Sequence, residues 1–291
     1  MGRVEGKVVL ITGAARGQGR SHAIRLAEEG ADIVATDLCA QLPEVPYAMG
    51  TRDELNETAA EVEKLDRRCL AMEADARDSA RMREVVEQTI AEFGRLDTVV
   101  INHGIGVPHA VDQQDADAIF DATIECNLSS VWRTARAAIP HMREHGGSII
   151  VNSSAAGLIA FYGLPGYVAS KHGVIGLVKA LAAELAPDWI RVNTVCPTNV
   201  ATPMLHNPFI QSMFTGGKPD ATIEDMKFPA TATNLLPIPW VDSEAISHAV
   251  LYLASDEAKY VTGIALPVDA GMSVQPPGIT PFIGQALAEK G

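Results

Sequence analysis

The sequence predicts an α/β domain built as a doubly wound parallel sheet with helices on both faces. Three observations carry this. Short apolar and β-branched runs alternate along the chain with longer segments of helical period. Those runs stay apolar throughout, as strands buried on both faces do. The first of them, KVVLIT at 7–12, leads directly into a glycine-containing turn and a helical segment.

The elements follow in order. Residues 17–29 are expected to be a helix, and ADIVATD (31–37) a second strand. An irregular stretch runs from Leu38 to about Arg52. An acidic helix over 53–67 precedes the strand RCLAMEAD, and 79–93 form another helix before the strand LDTVVIN (96–102). Helical patterns fill 114–144, and SIIVNS is the fifth strand, with Ser154 at its close. Pro165 and Gly166 read as the entrance of a helix whose apolar positions keep helical spacing through VASKHGVIGLVKALAAELA. WIRVNTVCP is the sixth strand, a helix covers 242–254, and IALPVDAG (264–271) is the last strand. With no internal repeat, low-complexity tract or linker, one domain spans 1–271. It holds an insertion at 38–52 and a lid at 199–240, and a tail follows at 272–291.

Bulk properties narrow the function. The chain has 291 residues, 47% of them hydrophobic, enough to bury a sizeable core. Its mean hydropathy is +0.09. No apolar run approaches the roughly 20 residues of a membrane span, and the opening MGRVEGKVVLITGA holds no long apolar segment, so neither a span nor a signal peptide is expected. Cys39, Cys69, Cys126 and Cys196 form no CxxC pair, as expected of reduced thiols. A formal charge of −13 without a basic run argues against nucleic acid. A soluble, acidic, cytoplasmic protein is expected.

Two constellations carry chemistry. Between the first strand and helix lies TGAARGQG, from Thr12 to Gly19. Glycines there allow a tight turn and let backbone N–H groups and the helix N-terminus approach a pyrophosphate, although the spacing is not G-x-G-x-x-G. Asp37 closes the second strand, where a carboxylate accepts hydrogen bonds from adenosine ribose hydroxyls and repels a 2′-phosphate. That favours NAD over NADP, with Arg16 as a possible offset. The second constellation is SAAGLIAFYGLPGYVASK, Ser154 to Lys171. Tyr167 and Lys171 stand at i and i+4 on one helix face, beside the Ser154 hydroxyl. A phenol with an ordinary pKa of about 10 is a poor base at neutral pH, and a nearby lysine charge lowers it.

With these motifs the chain resembles the short-chain dehydrogenase/reductases, whose fold is Rossmann-like. The pattern TGxxxGxG, the Asp at the end of strand two, the strand-five Ser and Tyr-x-x-x-Lys occur in order, and Ser154 precedes Tyr167 by 13 residues, as in that family. EADAR with Asp75, ECNLSSVW with Asn127, CPTNVATPM and VTGIALPVDAG match further landmarks over roughly residues 5–271. The resemblance implies that Tyr167 is the general acid/base and that Lys171 lowers its pKa and binds the nicotinamide ribose. It implies that Ser154 orients the reacting oxygen, and that Asn127 holds a water linking Lys171 to solvent. It places Gly13, Arg16, Gly17, Gln18, Gly19, Asp37, Leu38, Asp75, Ala76, Asn102, His103, Gly104, Pro197, Thr198, Val200 and Thr202 around NAD, along with Tyr167 and Lys171.

Three departures stand out. Where the family has N-N-A-G, this chain has Ile101-Asn102-His103-Gly104, so that an imidazole replaces a small residue. It either tunes the cofactor or fills space. Thr198 stands where a glycine usually follows Pro197. The stretch after Asp37 is longer than in most of the family. That insertion is similar to the carveol dehydrogenase-like subfamily, often linked to the redox cofactor mycofactocin. The likeness implies NAD that does not readily exchange and an external redox carrier. Cys39, Gln41, Pro46 and Tyr47 would clasp the adenine side; the alternative is a surface excursion.

The segment 199–240 is proline-punctuated and rich in Met and aromatic residues. It reads as a lid over an apolar pocket, with Met204, Phe209, Met213 and Phe214 on the lid and Phe161 and Tyr162 opposite. A hydrophobic secondary alcohol or ketone, terpenoid or alicyclic, is the expected substrate. The competing readings are an NADPH-dependent carbonyl or 3-oxoacyl reductase and a non-catalytic dinucleotide sensor. His141 and His145 match H-x-x-E-H but end a predicted helix with no further ligand in view, so no metal is expected. The tail either docks or frays, and the family resemblance implies a homotetramer.

Overall fold

The computed structural model describes residues 2–275. The described chain forms one parallel sheet from β1 (Val8–Thr12), β2 (Asp32–Asp37), β3 (Cys69–Glu73), β4 (Thr98–Ile101), β5 (Gly147–Asn152), β6 (Ile190–Pro197) and β7 (Ala265–Val268). Its order is β3-β2-β1-β4-β5-β6-β7. Around it lie α1 (Gly17–Glu28), α2 (Arg52–Glu63), α3 (Ser79–Phe93), α4 (Ala116–Ile124), α5 (Ser130–Met142), α6 (Pro165–Leu185), α7 (Pro208–Phe214), α8 (Ile223–Ala232) and α9 (Ser243–Ala254).

Strand side chains alternate between faces, and here both sets are apolar. Val8 and Leu10 join one core with residues of α3, α5 and α6. Val9 and Ile11 join the other with residues of α1, α2 and α9. The doubly wound sandwich follows directly from that pattern. Because β1 pairs with β2 on one side and β4 on the other, the strand order reverses beside it. A crevice opens there at the carboxyl ends of the strands.

Three regions depart from expectation. The helical stretch over 114–144 is α4 and α5 joined by a π-turn, Glu125–Ser129. The segment 199–240, expected as a lid, contains two helices, α7 and α8. They are short, and Pro229 lies inside α8. Local caps start them: the Asn207 side chain accepts from Ile210 N, and Thr222 with Asp225 forms a capping box.

The insertion is not a surface excursion. Leu42, Val45 and Tyr47 are buried with Ile105, Val107, Ile119 and Cys126 in a small core of their own. Gln41 ties it internally, donating to the carbonyls of Leu42, Val45 and Tyr47 and accepting from Met49 N. The Tyr47 hydroxyl accepts from Gly106 N at 3.0 Å. Of the expected tail, residues 272–275 are described, and 276–291 lie outside the described residues.

Candidate active site

A cavity of about 340 Å³ occupies the crevice. The glycine turn contributes Gly13, Arg16, Gly17 and Gln18, and β2 ends in it with Asp37 and Leu38. Asp75, Ala76, Asn102, His103 and Gly104 line it from the next strand ends, and Pro197, Thr198, Val200 and Thr202 from the exit of β6. Ser154, Tyr167 and Lys171 close the middle. Two expected site residues stand behind the wall. A Cβ on Gly19 would lie 2.0 Å from the Gly13 carbonyl oxygen, so this glycine lets the turn close upon itself. Asn127 is 1% exposed and lies outside the cavity lining.

The reactive centre follows from the start of α6. Pro165 occupies its first turn, where the fixed φ and missing N–H cost nothing, and the next turns carry Tyr167 and Lys171. Ser154 follows β5, and its hydroxyl, which accepts from Ala156 N at 3.1 Å, lies beside the Tyr167 phenol in the cavity wall. Lys171 Nζ donates to the Asn152 carbonyl at 2.8 Å and sits 5.5 Å from the Tyr167 ring centre. Burial raises the Tyr167 pKa above its ordinary value, opposed by the neighbouring Ser154 hydroxyl. Lys171 is pulled down to about 8, again by burial. The expectation that Lys171 depresses the phenol is therefore not met in this structure. Desolvation is the larger influence on Tyr167.

Asn127 reaches the site through backbone. Its Oδ1 accepts from Ile105 N and its Nδ2 donates to Ile105 O, both at 2.8 Å, which fixes the amide orientation. Nδ2 also donates to Ser170 Oγ, which donates to the Tyr167 carbonyl. A Cβ on Gly104 would come within 3.0 Å of Asn127 Oδ1 and 3.7 Å of Lys171 Nζ, so the two side chains flank that glycine. His103 is bonded at both nitrogens, to Thr12 Oγ1 at 2.7 Å and Ser130 Oγ at 2.6 Å. Burial, with the Lys171 charge, lowers its pKa to about 4.

The adenosine end fits a dinucleotide without a 2′-phosphate. The α1 N-terminus opens on the cavity with no side-chain cap and no acid in its first turn, which leaves backbone donors for an anion. Asp37 is held by Ala15 N and Cys39 N. Arg16, the residue that was to offset it, donates to the Ala48 carbonyl and lies 3.8 Å from Glu54. Asp75 pairs with Arg77 at 2.7 Å. Of the expected clasp, Tyr47 lines the cavity whereas Cys39, Gln41 and Pro46 do not. Leu42, Met49 and Gly50 line it instead.

At the other end Phe161, Met204, Met213 and Phe214 line the cavity as expected. Tyr162 and Phe209 are corrections. Tyr162 is 102% exposed in the turn before α6, and Phe209 is 40% exposed. On α7 the residues facing inward are Ile210, Met213 and Phe214, the i, i+3, i+4 set that leaves Phe209 outside. Leu205 joins them from the lid segment, whereas sequence reasoning missed Leu164 and Met272. A helical reading of PFIQSMF would have found Ile210, while nothing local marks Met272. Among the described residues no group of three His, Cys, Asp or Glu side chains could hold a metal, and no helix is long and apolar enough to cross a membrane.

A glycine turn, a strand-end carboxylate and a Ser–Tyr–Lys group in one cleft of a parallel sheet define a nucleotide-dependent oxidoreductase. Residues 7–211 match the short chain dehydrogenase family model, and the chain belongs to that family. It is 47% identical to a (−)-trans-carveol dehydrogenase of Rhodococcus erythropolis over 94% of this chain and 100% of that protein. A crystal structure of carveol dehydrogenase from Mycobacterium avium in complex with NAD superposes with a TM-score of 0.92 at 44% identity, covering 94% of this chain and 100% of that one. A short-chain dehydrogenase from Mycobacterium paratuberculosis bound to NAD gives 0.85 at 41% identity, covering 94% and 100%.

Proposed function

We propose that this chain is an NAD-dependent alcohol dehydrogenase acting on a hydrophobic secondary alcohol or its ketone, of terpenoid or alicyclic, carveol-like type. The observation that carries it is Ser154, Tyr167 and Lys171 in one cleft between a carboxylate-marked nucleotide end and an apolar end lined by Phe161, Met204, Met213 and Phe214. NAD, when bound, supplies the hydride acceptor. The Ser154 hydroxyl orients the reacting oxygen, and the Tyr167 phenol exchanges its proton. Lys171 donates to the Asn152 carbonyl and would hold the nicotinamide ribose. Asn127 fixes the Ile105 backbone and supports the passage of a proton from Lys171 to solvent. Asp37, with Arg16 engaged elsewhere, selects NAD.

The closed insertion supports NAD that exchanges slowly and reoxidation by an external carrier of the mycofactocin type. A homotetramer in the cytoplasm completes the reading. The test is to assay (−)-trans-carveol oxidation with NAD, with NADP, and with an artificial electron acceptor alone, and to extract the purified protein for bound nucleotide. NAD-linked or acceptor-linked turnover is expected. Activity confined to NADPH and an acyl thioester overturns it.

A further inference from the structure

We propose that His103 is a positioning residue: its ring, hydrogen-bonded at both nitrogens, holds the glycine turn at a fixed distance from the turn that carries Asn127. The inference rests on the dehydrogenase reading and concerns how its site is kept in register.

The direction of every bond in this bridge is forced. Ser130 Oγ has one proton and gives it to the Cys126 carbonyl at 2.6 Å. It can therefore only accept from His103, which places the proton on Nε2. The opposite nitrogen, Nδ1, then accepts from Thr12 Oγ1, which itself accepts from Asn102 N at 3.1 Å. The sequence of donors runs from β4 through the end of β1 and across the ring to the π-turn. Each anchor matters. Thr12 precedes Gly13, whose carbonyl accepts from Asn102 Nδ2 at 3.0 Å. Cys126 precedes Asn127, which clamps Ile105 on the loop whose Gly104 lies beside Lys171. An inert space filler would need neither nitrogen. Here two hydroxyls from different elements are aimed at them, and protonation would force the Thr12 hydroxyl to lose its acceptor.

The test compares His103→Leu, which fills similar space without bonds, with His103→Gln, whose side chain carries an acceptor and a donor in the same relation. For each, well below its own melting midpoint, kcat and KM are measured with (−)-trans-carveol, together with the rate at which excess NAD chases bound NADH. His103→Leu should lower kcat at least tenfold and speed NADH release at least tenfold, and His103→Gln should recover both to within threefold. A Leu variant that behaves as wild type, or a Gln variant no better than Leu, overturns the proposal. Should the Leu variant not fold, His103→Asn, which keeps only the Thr12 bond, takes its place. It should release NADH at least tenfold faster than His103→Gln, and equal release by the two overturns the proposal. A wild type inert toward alcohols counts against the dehydrogenase reading, whereas the NADH chase still decides the role of His103.

Discussion

The Tyr47–Gly106 hydrogen bond joins the insertion to the loop beside Tyr167, and Tyr47→Phe isolates it. A Cβ on Gly106 would lie 3.6 Å from the Tyr167 ring, so the loop passes close beside that ring. Phe keeps the ring packed among Leu42, Val45 and Ile105, in a site where Tyr47 is 8% exposed. What disappears is the acceptor for the Gly106 N–H, 3.0 Å away. A buried donor left unpaired costs about 1–3 kcal/mol. The cost falls on the closed insertion and is recovered when the loop opens to water, so the opening equilibrium shifts roughly five- to 150-fold. NADH release should quicken by that factor, read as the decay of bound-NADH fluorescence when excess NAD is added. Release at the wild-type rate with a lowered melting temperature would refute the reasoning. It would show that the bond supports the fold without lying on the route by which nucleotide leaves.

Four further outcomes are expected. Tyr167→Phe should lower kcat by about 10²–10⁴-fold while NADH still binds, as a fluorescence titration reports; retained turnover would remove Tyr167 from the chemistry. Lys171 has its pKa at about 8 in the fold against an ordinary 10.5, so its charge opposes folding at pH 7 and that opposition fades as pH rises through this window. Denaturant unfolding should show wild type gaining roughly 3 kcal/mol on Lys171→Met between pH 7 and about pH 10, and a constant difference contradicts the assignment. Asp37→Ala should narrow the preference in kcat/KM for NAD over NADP by weakening NAD, with little gain for NADP because Arg16 stays bound to the insertion. Phe161→Ala should raise KM for carveol several-fold and Tyr162→Ala should leave it within twofold; equal effects would place the substrate elsewhere.

Much of this site is legible because its parts are local. The strands announce themselves through unbroken apolar runs, and the glycine turn through its place between KVVLIT and a helix. The i, i+4 spacing of Tyr167 and Lys171 needs no tertiary information. What escapes is decided at long range. Phe209 and Ile210 are equally apolar neighbours, and the helix that separates them is only seven residues long. Tyr162 carries the same aromatic signal as Phe161, yet its turn points it into solvent. The direction of the Tyr167 pKa depends on how completely the site is buried, which spacing alone does not contain. The insertion is visible as extra length, whereas its partners Ile105, Val107 and Cys126 come from segments more than 50 residues away. His103 is visible as an anomaly, but its meaning lies in two hydroxyls from distant strands and helices.

Immobilising the enzyme on a bead or an electrode would depend on which end of the chain is fixed. Residues 2–7 lead into the amino end of β1, away from the cleft at the carboxyl ends of the strands, and Arg3 N donates there to Glu29 beyond the end of α1. Met272, by contrast, packs into the cavity wall soon after β7. A surface anchor on the first segment leaves the nucleotide end and the lid facing the bulk medium, open to substrate and to a mediator. An anchor on the chain beyond Met272 pulls on the wall of the reaction chamber itself.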